Sequence, residues 1–272
     1  MELGVMQGRL TEKGGFYPQV FPWLGWEDEF YLAEKFGVTH IEWMLNADRL
    51  PDNPIMSKRG REKIAELEME TGVQVRSLCL NFVMQYSLQK KDTIATVTRC
   101  LCQAAELENL RVAVIPLEGA SSPAFCPDDA LGEALHYLKT SDVGIKCSIE
   151  SSYIAEDQMI LLEKCNDKVG ICYDVGNAAG MGRDVLAELR RLSGHIDEIH
   201  LKDKRICDVN EEMSNGGQKS TYFGDGIVDF QSIFRWLKNS NYHGNMVLES
   251  YFDSAVDDLQ RNLSYLRSIL HE

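Results

Sequence analysis

Glu150, Asp174, His200 and Glu249 are the residues of this chain best placed to do chemistry, because each stands at the end of a stretch that reads as a β-strand. In 145–150, Ile145, Cys147 and Ile149 share one face and Glu150 lies on the other. Val169, Ile171 and Tyr173 likewise oppose Asp174, Ile199 and Leu201 oppose His200, and Met246 and Leu248 oppose Glu249. Side chains alternate along a strand, so the apolar set can pack on helices while the other set points into a barrel. Charged groups crowded at the carboxyl ends of parallel strands mark an active site in a (β/α)8 barrel. Three carboxylates and one imidazole that converge also make a divalent-metal site. Oxygen-rich ligation with one imidazole suits Mn²⁺ first, with Mg²⁺ or Co²⁺ as alternatives, and Zn²⁺ less well. Such an ion would polarise a carbonyl and stabilise the enediolate left when the neighbouring carbon loses its proton. Two glutamates flanking the substrate could then take the proton from one face and return it to the other, which is epimerisation. Return to the adjacent carbon would be aldose–ketose isomerisation. Taken singly, a strand-end glutamate is usually an ion pair or a cap, and a buried histidine a satisfied core residue. The argument rests on all four together.

The elements needed to position them run the length of the chain. Strands are expected at 2–6, 38–43, 73–80, 111–116, 144–150, 168–174, 196–201 and 244–250. Helices are expected at about 26–37, 57–71, 89–108, 127–142, 155–166, 183–193, 229–240 and 255–270. Helical spacing of apolar residues carries the latter, as in Phe230, Ile233, Phe234 and Leu237, or Ile94, Val97, Leu101 and Ala104. Gly37, Gly72 and Gly144 fall where helices would stop in a left-handed residue. Eight strand–helix units with no Pro/Ser-rich linker imply one α/β domain over 1–272, a (β/α)8 barrel. Two loops at the carboxyl-terminal face are long, Gln7–Gly25 and Lys202–Gly226. Long loops there read as substrate lids, or as loops covered by an oligomer partner.

Composition narrows the function classes. Hydrophobic residues make up 44% of the 272 positions, enough for an ordinary core. A net charge of −14 disfavours a nucleic-acid partner, which calls for basic patches. No apolar stretch approaches the ~20 residues of a membrane helix, and the opening MELGVMQGRL lacks the pattern of a signal peptide. The eight cysteines match neither a zinc ribbon nor a disulfide scaffold, so buried thiols in a reducing cytoplasm are expected.

Seven segments resemble the xylose-isomerase-like barrel superfamily: HIEW (40–43), SLCLNF (77–82), SIES (148–151), YDVGN (173–177), IHLKD (199–203), FGDGIVDF (223–230) and VLES (247–250). They span nearly the whole chain. YDVGN and FGDGIVDF are most similar to the ketose 3-epimerase branch, which includes L-ribulose/L-xylulose 5-phosphate 3-epimerases. The opening GVMQGRL, with FPW and IEW, is similar to a group of uncharacterised bacterial sugar-phosphate isomerase/epimerase-like proteins. The resemblance implies Glu150, Asp174, His200 and Glu249 as metal ligands, Glu150 and Glu249 as the acid–base pair, and Glu42 on substrate hydroxyls. It also implies a small-molecule sugar or sugar-phosphate substrate and, by analogy, a homodimer or homotetramer.

Some residues depart from the family pattern. Asn177 stands where many relatives have a substrate-binding histidine; its amide can hydrogen-bond a hydroxyl but cannot act as an acid, and it could equally cap a helix. Lys202 shares the parity of His200 and could reach a substrate oxygen, whereas Asp203 would anchor the following loop. The segment 81–86 carries no histidine or basic residue, so a phosphate would depend on Arg9, Lys202, Lys204 or Arg205, and an unphosphorylated sugar is equally admissible. Phe82, Tyr86, Trp23 and Trp43 could stack on a sugar face or simply be core. Alternatives on the same scaffold are a sugar dehydratase, a carbohydrate-binding barrel without catalysis and, least in keeping with six histidines and an acidic surface, an endonuclease IV-like repair enzyme.

Overall fold

The computed structural model describes residues 1–11, 20–123, 132–134, 144–165, 169–205, 220–250 and 255–270. Eight parallel strands close a barrel: β1 (Gly4–Met6), β2 (His40–Met44), β3 (Gln74–Cys79), β4 (Val112–Pro116), β5 (Lys146–Glu150), β6 (Gly170–Asp174), β7 (Ile196–Leu201) and β10 (Asn245–Leu248). Around the ring the order is β1-β10-β7-β6-β5-β4-β3-β2. A two-stranded antiparallel ribbon, β8 (Asp203–Lys204) with β9 (Ser220–Thr221), stands beyond β7. The helices are α1 (Asp28–Lys35), α2 (Lys58–Thr71), α3 (Lys91–Ala104), α4 (Ala155–Lys164), α5 (Val175–Gly180), α6 (Val185–Arg191), α7 (Phe230–Asn239) and α8 (Ala255–Leu270). The helix expected over 127–142 lies outside the described residues except for 132–134. The short α5 directly after β6 was not anticipated.

The alternation read from the sequence is the alternation of the barrel wall. Ile149, Ile171, Tyr173, Ile199, Leu201 and Leu248 join the core between sheet and helices. The opposite parity makes a separate buried cluster of Met6, Met44, Cys79, Val112, Val114, Cys172 and Val247. Helix α7 shows how weak local preference is overridden: Phe, Trp, Ser and Asn are indifferent helix formers. Its buried stripe of Phe230, Ile233, Phe234 and Leu237 is worth about 2 kcal/mol per side chain, and Asp229 caps it by accepting from Ser232 N at 3.0 Å. Gly37, Gly72 and Gly144 all take the positive φ expected of helix stops. No disulfide joins the described cysteines.

One carboxylate fixes the loop after β7. Asp203 Oδ2 accepts from Gly224 N at 2.9 Å and Gly226 N at 3.0 Å, and Oδ1 from Lys204 N at 2.9 Å and Val228 N at 3.1 Å. A Cβ at Gly226 would come within 2.1 Å of Asp203 Oδ1, so the approach needs glycine. The anchoring role expected of Asp203 is thus borne out. Replacing Asp203 with Ala strands four backbone donors of a charged acceptor. Stability should fall by about 3 kcal/mol, with Asp203→Asn losing less. Urea unfolding of the two variants checks this, and equal midpoints for wild type and Asp203→Ala would refute it.

Candidate active site

His200 is the hub of the site. It is fully buried, and its two ring nitrogens face different acidic pairs. Nδ1 lies 3.3 Å from Glu249 Oε2 and 3.6 Å from Glu150 Oε1. Nε2 lies 3.2 Å from Glu42 Oε2 and 3.3 Å from Glu198 Oε1. Burial opposes a charged ring, but Cys172, Glu42 and Glu150 around it raise its pKa well above the usual imidazole range.

The acidic groups differ from one another. Burial pushes Glu42 up to about 8, against the pull of His200, so it holds its proton at neutral pH. Burial also opposes ionisation of Glu198, yet bonds from His200 and Asn245 hold its carboxyl below the usual range. Glu249 too is opposed by burial and then held well below that range by Lys202 and His200. Burial raises Asp174, with Lys202 drawing it back.

Lys202 is the second cation. Its Nζ stands 2.7 Å from Asp174 Oδ2 and 2.6 Å from Glu249 Oε2. Burial works against its charge, but Asp174 and then Glu249 keep it protonated far above neutral pH. Asp174 divides its oxygens: Oδ1 caps α5 by accepting from Asn177 N at 2.9 Å, while Oδ2 faces Lys202. The cap of α5 is therefore Asp174, and the Asn177 side chain instead accepts from Lys204 Nζ at 2.6 Å.

A cavity of about 160 Å³ opens at this end of the barrel. Glu150, Glu249, Lys202 and Asn177 line it. Its size falls below the ~300–1,000 Å³ of drug-sized pockets, which suits a small polar molecule. Glu42 and Arg9 are absent from its lining. Glu42 lies on the Nε2 side of His200, fully buried. Arg9 is buried behind Glu249, with Nε donating to the Glu249 carbonyl at 3.1 Å. Its loop is held by Glu29, which accepts from Gly8 N at 2.9 Å, Leu10 N at 3.2 Å and Thr11 Oγ1 at 3.2 Å. Trp43 and Phe82 are core, Tyr86 is exposed, Trp23 stacks under Arg49, and none of the four lines the cavity. Segments 12–19 and 206–219, within the two loops expected to act as lids or to be covered by a partner, lie outside the described residues.

Three residues near the site escaped the sequence reading. Asn81 and Glu118 line the cavity just past the ends of β3 and β4. Burial, then the charge of Glu150, raises the Glu118 carboxyl, and solvent at its exposed side moderates the effect. Glu198 was legible in principle, since it precedes His200 by two and shares its parity.

The donor set fits a divalent cation. Ligand atoms of Glu150, His200 and Glu249 lie within 4.8 Å of one another. His200 Nδ1 is buried without a hydrogen bond, and the Lys202 ammonium shows that Asp174 and Glu249 accept a cation between them.

Fold and site together define a (β/α)8 barrel with a buried acidic cluster at the carboxyl ends of its strands. The chain belongs to the xylose isomerase-like TIM barrel family, whose pattern it matches over residues 30–269. It is 26% identical over 259 residues to an L-ribulose-5-phosphate 3-epimerase UlaE of Escherichia coli, covering 85% of this chain and 84% of that protein. It superposes on a solved L-ribulose 3-epimerase with a TM-score of 0.72 at 14% identity, covering 100% of this chain and 95% of the other. A xylose isomerase-like barrel protein of Mycobacterium smegmatis, solved in complex with magnesium, gives 0.70 at 16% identity, covering 98% and 95%.

Lys202→Met tests the electrostatics. Glu249, with its pKa lowered on folding, contributes stability above its unfolded pKa of about 4.3 and loses it as pH falls through the lower folded value. Without Lys202, two buried carboxylates face each other. The metal-free variant should be less stable by about 3–5 kcal/mol at pH 7, and the gap should shrink below about pH 4. Urea titrations at both pH values check it, and a gap independent of pH would refute the assignment.

Proposed function

We propose that this protein is a divalent-metal-dependent epimerase or isomerase of a ketose, ketose phosphate or related sugar, with Mn²⁺ as its preferred ion. The observation that carries the reading is the convergence of Glu150 and Glu249, at the wall of a small polar cavity, on the buried His200, with Asp174 joined to Glu249 through Lys202. The relatives named as ribulose-5-phosphate and ribulose 3-epimerases support the reaction class, and the magnesium-bound barrel supports the divalent ion.

In this reading Glu150, Asp174, His200 and Glu249 hold the ion. When bound, it would stabilise negative charge developing on the substrate oxygens. Glu150 and Glu249 come from β5 and from the end of β10, strands separated in the ring by β6 and β7, so they approach a ligand from different sides. One accepts the proton from the carbon beside the carbonyl, and the other, protonated, returns one to the opposite face. Lys202 and Asn177 hydrogen-bond substrate oxygens from the cavity wall. Arg9 acts from behind, bracing the backbone of Glu249, and Glu42 acts through the His200 ring rather than on a hydroxyl. An acidic chain with these ligands works in the reducing cytoplasm, on a small molecule.

The test is proton NMR in D₂O with the Mg²⁺-loaded protein and a panel of ketoses and ketose phosphates. Deuterium should enter at the carbon beside the carbonyl, and EDTA should stop it. Glu249→Gln should slow exchange by at least about 10²-fold while the sugar still binds. Exchange at the full rate in that variant removes Glu249 from the acid–base pair, and no exchange with any sugar sinks the reaction class.

A further inference from the structure

We propose that Glu198 is the positioning residue for His200, fixing the ring proton on Nε2 so that Nδ1 presents its lone pair to the Glu150–Glu249 side. The inference rests on the metal-site reading above and concerns how that site is prepared. An imidazole that ligates an ion gives it the lone pair of one nitrogen and keeps an N–H on the other, and a fixed acceptor beside one nitrogen decides which is which.

The two nitrogens of His200 have unlike surroundings. On the Nε2 side, Glu198 Oε1 stands at 3.3 Å. Glu198 is fully buried and held in place by another donor, since its Oε2 accepts from Asn245 Nδ2 at 2.9 Å. Asn245 sits on β10, the neighbour of β7 in the ring, so a second strand fixes this carboxylate. Glu42 also approaches Nε2, at 3.2 Å, but no hydrogen bond fixes either of its oxygens, whereas Asn245 fixes Glu198. On the other side, Nδ1 has no hydrogen bond and falls in the tight group with Glu150 and Glu249. A carboxylate that takes the far N–H of a ligating imidazole sets its tautomer and aims its lone pair, and losing such a partner typically weakens metal binding by about 10–100-fold.

Cys172, Glu198 and His200 also form a tight group. It is not a second metal centre in this reading. The oxygens of Glu198 are engaged by Asn245 and His200, and burial keeps Cys172 a thiol.

Long-range ¹H–¹⁵N NMR of the Zn²⁺-loaded full chain reads the tautomer without any variant. The expected result is a proton on Nε2 of His200 and the ion on Nδ1; ligation through Nε2 overturns the proposal. Chelator competition with Mn²⁺ then compares wild type with Glu198→Gln, which preserves the side-chain shape, and with Glu249→Gln as the control for the site itself. Glu198→Gln should bind Mn²⁺ about 10–100-fold more weakly. Wild-type affinity in Glu198→Gln, with Glu249→Gln weakened, overturns the positioning role alone. No divalent-ion binding by the wild type overturns the metal site and this inference together.

Discussion

The site depends on the crowding of like charge where water is nearly absent. Glu42, Glu150, Asp174, Glu198 and Glu249 all gather around His200 and Lys202, and all are buried. Two carboxylates about 4 Å apart repel by about 4 kcal/mol even at an effective dielectric of ~20. Five cannot ionise together without compensation, and the structure divides the problem. Glu42 keeps its proton, Glu198 is satisfied by polar donors, and Glu249 is paired with Lys202. Groups whose environments push their pKa values apart are how one fold holds acid and base in one place. A site so acidic has strong affinity for any further positive charge, which is the property a metal-assisted proton transfer needs.

Such a cluster survives only in a frame that cannot relax away from it. The barrel gives that frame through strand pairing, and two more carboxylates tie down the loops beside it. Glu29 holds the loop after β1, and Asp203 holds the turn after β7. Strands β1 and β7 are the two neighbours of β10 in the ring, so Glu249, at the end of β10, stands between two clamped loops. Arg9 adds a third tie by bonding the Glu249 backbone directly. Glu249 is thus braced through its own backbone as well as through the loops on either side.

How much of this was legible in the sequence follows from what alternation can and cannot encode. Alternation shows which parity faces inward, and it placed Glu150, Asp174, His200 and Glu249 at strand ends within one site. It does not show height or tilt. The pairing of β2 with β3 slips between Ile41 and Glu42, and that of β6 with β7 slips between Ile171 and Cys172. Glu42 follows the first of these slips and lies on the Nε2 side of His200, outside the cavity lining, which no period-two pattern could reveal. Asn81 and Glu118 were missed because they follow their strands, where parity has no meaning. The Lys202 bridge was missed because a long side chain can go to substrate or to a neighbour, and only the positions of Asp174 and Glu249 decide between them.

The same physics separates what is fixed in this site from what is free to set specificity. His200, Glu42 and Glu198 are sealed in, so changing one leaves its partners charged or unpaired in the core, at a cost of several kcal/mol. Asn177 and Glu118 line the cavity and reach solvent, and the energetic penalty for altering such positions is small. Asn177 in particular presents an amide held by Lys204, a neutral group on a cationic neighbour, to whatever the cavity takes. Variation is therefore cheap at the rim and costly at the hub. That division lets a barrel of this kind vary its rim without rebuilding the buried cluster beneath it.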